Sequence, residues 1–355
     1  MAGNRPRLGT LAAIALPPVA LLLGFAWAGD WIGWPRVSGA TLANALQYNA
    51  GIYPGYRRAH AKGLCFTGTF EANGAGTALS KAGAFIGGRY PVIGRFSTGG
   101  SDPFSSDGRN VFHAIGLQIT APDRQIWRMA LDHTPIFPVS TPEAFVALQI
   151  ATKADSATGK PDPAKVSAYM AGHPETKAFQ DYLATQPLPD SFASGTYHSI
   201  NAFTFIDAAG ARQAVRWKFV PVTPLKPLDK ARLDQVPMDY LFNEILQRLG
   251  NGPVRWHMVV QVAAPGDVTR DANVRWPEDR RQVDVGTLTI DRVMPEETGA
   301  CRDITFDPTI LPDGVALSDD PLLGARAAAY ATSFARRAEE GAGPSKIGKE
   351  LAKGK

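Results

Sequence analysis

The chain has 355 residues, 45% of them hydrophobic and 20% charged, with 35 glycines and 28 prolines. That balance excludes a disordered or fibrous protein and leaves enough apolar material for a sizeable core in one large domain or two ordinary ones. The net charge of +4 is carried largely by the two termini, too little to imply a nucleic-acid partner.

The first element is an uncharged stretch from Leu8 to Ala28, which as a helix would span about 31 Å, close to a bilayer core. Arg5 and Arg7 precede it, and Trp27, Trp31 and Trp34 close it, matching positive charge on the cytoplasmic side and an aromatic belt on the other. The expectation is one N-terminal transmembrane helix within residues 1–36, kinked at Pro17 and Pro18, anchoring a periplasmic body in the inner membrane. Ala26-Trp27-Ala28 also fits a cleavable secretory signal, so cleavage after Ala28 stays open.

Beyond it, eight segments alternate apolar and polar residues with period two: 64–71, 92–98, 111–120, 126–131, 197–206, 215–222, 254–262 and 285–293. Eight such strands predict a closed antiparallel barrel, an α+β body over residues 37–340. Helical patterns fall at 142–154, 164–171, 175–185, 238–249 and 320–339, the last opened by Ser318-Asp319-Asp320 as an N-cap. Residues 341–355 are rich in Gly and Lys and read as a mobile tail.

Chemistry-bearing motifs are few. No histidine pair has HxH or HxxxH spacing, and GxSxG, Walker and GxGxxG patterns are absent, which removes the usual support for a histidine-held metal, a serine hydrolase or a nucleotide site. Cys65 and Cys301 are too few for a disulfide scaffold and read equally as two buried thiols or one disulfide. Arg326 and Tyr330, four apart on the last helix, lie on one face; the pair alone reads as a surface contact, although a cation beside a phenol favours the phenolate.

Three stretches in order, RRAHAKG at 57–63, GRFST at 94–98 and FDPTILPDGVALSDDPLLGARAAAY at 306–330, resemble the haem-dependent catalase superfamily, specifically its short catalase-related peroxidase branch. The resemblance covers residues 51–337 and implies a catalase-like eight-stranded barrel with flanking helices that binds haem. It implies Tyr330 as the axial ligand of the haem iron with Arg326 beside it, and Arg57, Arg95 and Arg337 as the residues that hold the haem propionates. It also implies His60 as the acid/base on the peroxide side, with Ser97 orienting its imidazole. Phe137, with Phe112 and Phe145, is a candidate for packing against the porphyrin. The position of a distal asparagine falls on Asp132, within WRMALDHTPIF at 127–137, where a carboxylate would oppose a developing oxyanion.

The resemblance therefore implies a peroxidase reducing hydrogen peroxide or organic hydroperoxides with a small organic electron donor and weak catalase turnover, working as a monomer or dimer. Two other readings remain: a lipid-hydroperoxide isomerase of the allene oxide synthase kind, and a haem-binding barrel without turnover.

Overall fold

The computed structural model describes residues 8–28, 37–108, 112–344 and 347. Residues 1–38 form one unit and 39–355 another. In the first, helix α1 runs Leu8–Ala28, as the uncharged stretch predicts. Among the described residues no helix is long and apolar enough to cross a membrane, so the transmembrane part of that expectation is not supported. Arg5, Arg7, Trp31 and Trp34, which also carried it, lie outside the described residues.

The second unit opens with α2 (Gly39–Ala50), a helix that the sequence reading missed. A closed barrel follows. Its strands are β1 (Gly63–Ala72), β2 (Gly88–Thr98), β3 (His113–Thr120), β4 (Ile126–Asp132), β6 (Tyr197–His198), β8 (Arg212–Pro221), β10 (Val254–Val262) and β11 (Gln282–Met294), each paired antiparallel to the next, with β11 returning to β1. The eight-stranded antiparallel barrel is thus present. Alternation drives it: in β10, Val254, Trp256, Met258, Val260 and Val262 are buried, while Arg255 and His257 face out. Inside, Phe66, Phe96, Phe192 and Trp256 pack ring against ring, so the barrel is a filled core rather than a ligand cavity.

One predicted strand does not run as expected. Over 197–206 the chain breaks after β6 and resumes as β7 (Phe203–Ile206), because Ile200 adopts φ 61° and the Ser199 hydroxyl accepts from the Trp217 backbone N–H at 3.2 Å. Both fragments pair with β8, and β12 (Val315–Leu317) extends the sheet beyond β7. Two short strands, β5 (Leu188–Pro189) and β9 (Pro227–Leu228), pair with each other.

Between β4 and β5 lie α3 (Pro142–Ala151), α4 (Pro163–Gly172) and α5 (Thr176–Thr185); α6 (Tyr240–Gly250) precedes β10. The final helix α7 (Pro321–Glu340) begins where expected, capped by Asp320, whose carboxylate accepts from the Leu322 N–H at 2.9 Å. Helix α2 lies against α7 so closely that a Cβ on Gly39 would stand 2.2 Å from the Ala328 carbonyl oxygen. Arg336 of α7 bonds Gln47 and Asn44 of α2.

Two details revise the sequence reading. Cys65 and Cys301 form a disulfide, settling the choice between thiols and bridge. The expected mobile tail is pinned at its start: the Gly343 N–H donates to the Gly55 carbonyl at 3.3 Å, the Tyr56 hydroxyl donates to the Pro344 carbonyl, and Ile347 is buried. Residues 345–346 and 348–355 lie outside the described ones.

Candidate active site

The site lies outside the barrel, between its wall and α7. Strand register sets the floor. Ser97, Ala114 and Asp132 are cross-strand partners on β2, β3 and β4, and Arg95, Gly116 and Ala130 form the next row on the same face. The alternate positions Phe96, Ile115 and Leu131 point into the core, so the outward rows are left to line the cavity. Small residues at three of these positions make the floor flat.

Helix α7 forms the opposite wall, with Arg326, Ala329, Tyr330, Ser333, Phe334 and Arg337 along one stripe. The space of about 790 Å³ between them, part of it open to solvent, is lined by His60, Ser97, Asp132, Arg57, Arg95, Arg326, Tyr330 and Arg337 together, eight of the nine candidate residues. Phe137 is not among them. It stacks on Phe145 with centroids 5.8 Å apart and lines an adjoining space of about 1340 Å³, as does Phe112. That second space shares His60, Asp132, Arg326 and Tyr330 with the first.

His60 sits in the loop before β1 with φ 53°, a left-handed conformation that is strained for a non-glycine residue and held here by its surroundings. Arg95 donates to the His60 carbonyl at 2.7 Å and to the Ala61 carbonyl at 3.0 Å, fixing that turn. The Ser97 hydroxyl lies 3.5 Å from His60 Nδ1. Burial lowers the His60 pKa; Asp132 opposes this, while Arg95 and Arg326 add to it. The imidazole is therefore kept neutral.

On the other wall, Arg326 Nη2 donates to the Tyr330 phenol oxygen at 3.2 Å and to the Ala130 carbonyl at 3.3 Å. Burial opposes the charge of Arg326, but Tyr330, then Asp132 and Asp320, more than offset it. Arg326 also donates to Asn201 Oδ1, and Asn201 Nδ2 donates to Asp320 at 2.8 Å. The break in the 197–206 strand is what brings Asn201 to α7, and no periodic signal in the sequence could have shown it.

At the far end, Arg57, Arg95 and Arg337 converge. Glu296, which sequence reasoning missed, accepts from Arg57 Nε at 2.9 Å and from Arg95 Nε at 2.8 Å. Burial alone would raise its pKa, yet Arg95 and Arg57 hold it at about 2. Arg337 Nε is buried with no partner, and burial followed by the repulsion of Arg57 pushes that guanidinium down to about 10. An unpartnered buried guanidinium nitrogen at one end, a phenol on one wall and a floor of small residues fit a flat, anionic cofactor such as haem.

A closed antiparallel barrel with a phenol, an imidazole and an arginine cluster around one external cavity defines the catalase class. A sequence model of that family, Catalase, matches residues 53–343. The chain belongs to the catalase family. Within it, the chain belongs with the catalase-related peroxidases. It is 36% identical over 325 residues to the catalase-related peroxidase of Synechococcus elongatus, covering 92% of this chain and 95% of the relative. It is 32% identical over 295 residues to that of Mycolicibacterium paratuberculosis, covering 83% and 93%. Against the catalase of Rattus norvegicus identity is 28%, over 79% of this chain but 56% of the relative. A solved bacterial catalase superimposes with a TM-score of 0.71 at 23% identity, over 79% of this chain and 57% of that one. The chain thus spans little more than half the length of those larger catalases.

Proposed function

We propose that the protein is a haem-dependent peroxidase that reduces hydrogen peroxide or an organic hydroperoxide with electrons from a small organic donor. As a catalase-family member it is a peroxide oxidoreductase. The observation that carries the finer reading is the placement of His60 and Tyr330 on one cavity, with the arginine cluster at its end. Haem, when bound, would supply the iron and the electron relay. Tyr330 would hold the iron through its phenol oxygen, and Arg57, Arg95 and Arg337 would hold the propionates.

The residues of the chain handle the protons. Neutral His60 can take the proton from the near oxygen of a peroxide and return it to the far oxygen as the O–O bond breaks, releasing water or an alcohol; the near oxygen would be left to the bound haem, which would supply two electrons that the donor then restores. Ser97 beside Nδ1 orients that ring. Asp132 shares the cavity with both, a carboxylate where an oxyanion would develop, which supports reduction by an outside donor over dismutation of two peroxides. The adjoining space, lined by Leu42, Leu46, Phe137, Phe145, Leu148 and Phe179, favours an organic hydroperoxide and keeps isomerisation of a lipid hydroperoxide as the second reading.

The test is haem titration followed by peroxide consumption with and without a phenolic donor, for wild type, Tyr330→Phe and His60→Ala. A haem spectrum that changes in Tyr330→Phe, with donor-dependent peroxide loss abolished in His60→Ala, is the expected result. Rearranged product from a fatty-acid hydroperoxide without donor would favour isomerisation, and an unaffected His60→Ala would leave a binding barrel without turnover.

A periplasmic placement through α1 is part of the same reading. Support comes from the absence of charge along Leu8–Ala28 and from Leu16, Leu21, Leu22 and Phe25 standing more than 60% exposed. Carbonate extraction of membranes from cells making the full chain checks it, and release of the protein by carbonate would oppose it.

A further inference from the structure

Glu296 lies two residues beyond the end of β11 and reaches into the arginine cluster. Each of its oxygens serves one arginine: Oε1 accepts from Arg57 Nε at 2.9 Å, and Oε2 lies 2.7 Å from Arg95 Nη2 and 2.8 Å from its Nε. The other donors of both arginines are largely committed to backbone. Arg57 Nη2 donates to the carbonyls of Cys301, Arg302 and Ile304, and Arg95 to those of His60 and Ala61. The faces these two guanidiniums offer to a carboxylate are therefore already holding one. Nothing in the proposed peroxide chemistry uses it.

We infer that Glu296 is an internal carboxylate that occupies the arginine cluster in the cofactor-free chain and competes there with the two propionates of the incoming haem, an assignment that rests on reading Arg57, Arg95 and Arg337 as propionate ligands. Three clustered guanidiniums, those of Arg95 and Arg337 buried and that of Arg57 half-buried, would repel one another without an anion, so the carboxylate stabilises the cluster before loading. A propionate approaching Arg57 or Arg95 then meets a like charge at close range in a poorly solvated setting, where repulsion is strong. Glu296 thus trades cofactor affinity for the integrity of the empty site. A purely structural carboxylate that only aimed the two arginines would do the opposite, and its loss would weaken cofactor binding.

The experiment is titration of full-length cofactor-free wild type and Glu296→Gln with haem and with haem dimethyl ester, whose propionates carry no charge, alongside thermal unfolding of both cofactor-free proteins. The expected result is a haem Kd lower by about 5- to 10-fold in Glu296→Gln, no such gain with the ester, and an unfolding temperature several degrees lower for the cofactor-free variant. An unchanged or weaker haem Kd in Glu296→Gln, or an equal gain with the ester, would overturn the inference while leaving the arginine reading intact. Wild type that takes up haem and its ester equally well would remove the arginine reading, and the inference with it. Should Glu296→Gln not fold, Glu296→Asp keeps the charge but is one methylene too short to bridge both arginines, and an intermediate gain is expected.

Discussion

Asn201 and Arg326 are joined by a hydrogen bond from the guanidinium Nη1 to the amide Oδ1, and the same amide donates to Asp320 at 2.8 Å. Asn201 is 1% exposed. A single neutral side chain therefore links the cap of α7 to the arginine that touches Tyr330, so the helix start and the phenol wall are held as one unit.

Replacing Asn201 by Leu removes both bonds and leaves the buried Asp320 and the half-buried Arg326 with fewer partners. The variant is expected to lose about 1–3 kcal/mol of stability, measured by denaturant unfolding, because an unsatisfied buried polar group loses its desolvation compensation. If Arg326 acts through this link on Tyr330, the absorption spectrum of the haem-loaded variant also shifts, a change that loss of packing alone would not produce.

On the proposed function, the pH dependence of the peroxide reaction follows from His60. Its pKa lies below the ordinary 6.5, chiefly through burial, and the neutral imidazole is the form that accepts a proton. The acid limb of the rate of reaction with peroxide is therefore expected to have its midpoint below pH 6.5. Stopped-flow measurement across pH 4–8 checks this; an acid limb centred above 6.5 would contradict it.

The disulfide crosses a long reach of chain, joining Cys65 to Cys301 at a sequence separation of 236. Replacing both cysteines by Ser is expected to cost about 2–4 kcal/mol, seen as a lower denaturant midpoint without reductant. Wild type in reductant should approach the variant, and intact mass should rise by two hydrogens.

Lys62 belongs to the RRAHAKG motif, yet its ammonium turns away from the site to Asp107 at 2.6 Å and Asp239 at 2.6 Å. Asp107 in turn accepts from the Leu241 N–H at 3.0 Å in the first turn of α6. Lys62→Met leaves the Asp107 carboxylate without its cation, and a loss of about 3–5 kcal/mol by thermal or denaturant unfolding is expected.

The barrel was legible because its strands obey a simple period: 254–262 alternates apolar and polar residues except at Val259 and forms β10 over that range. The eight polar candidates were legible through short motifs whose residues share a face after pairing, as Ser97 and Asp132 do. What escaped has no local signature. Glu296 meets Arg57 across 239 positions, and Asn201 meets Arg326 across 125. Helix α2 was missed for another reason: its Gly39 allows a close helix crossing and lowers local helical preference at the same place.

His60 precedes the first barrel strand and Tyr330 lies on a helix that follows the last. During synthesis from the N-terminus, the ring of strands can be complete before either the phenol or Arg337 has emerged. On the proposed function, cofactor capture would then fall among the last events in maturation, after the barrel has closed.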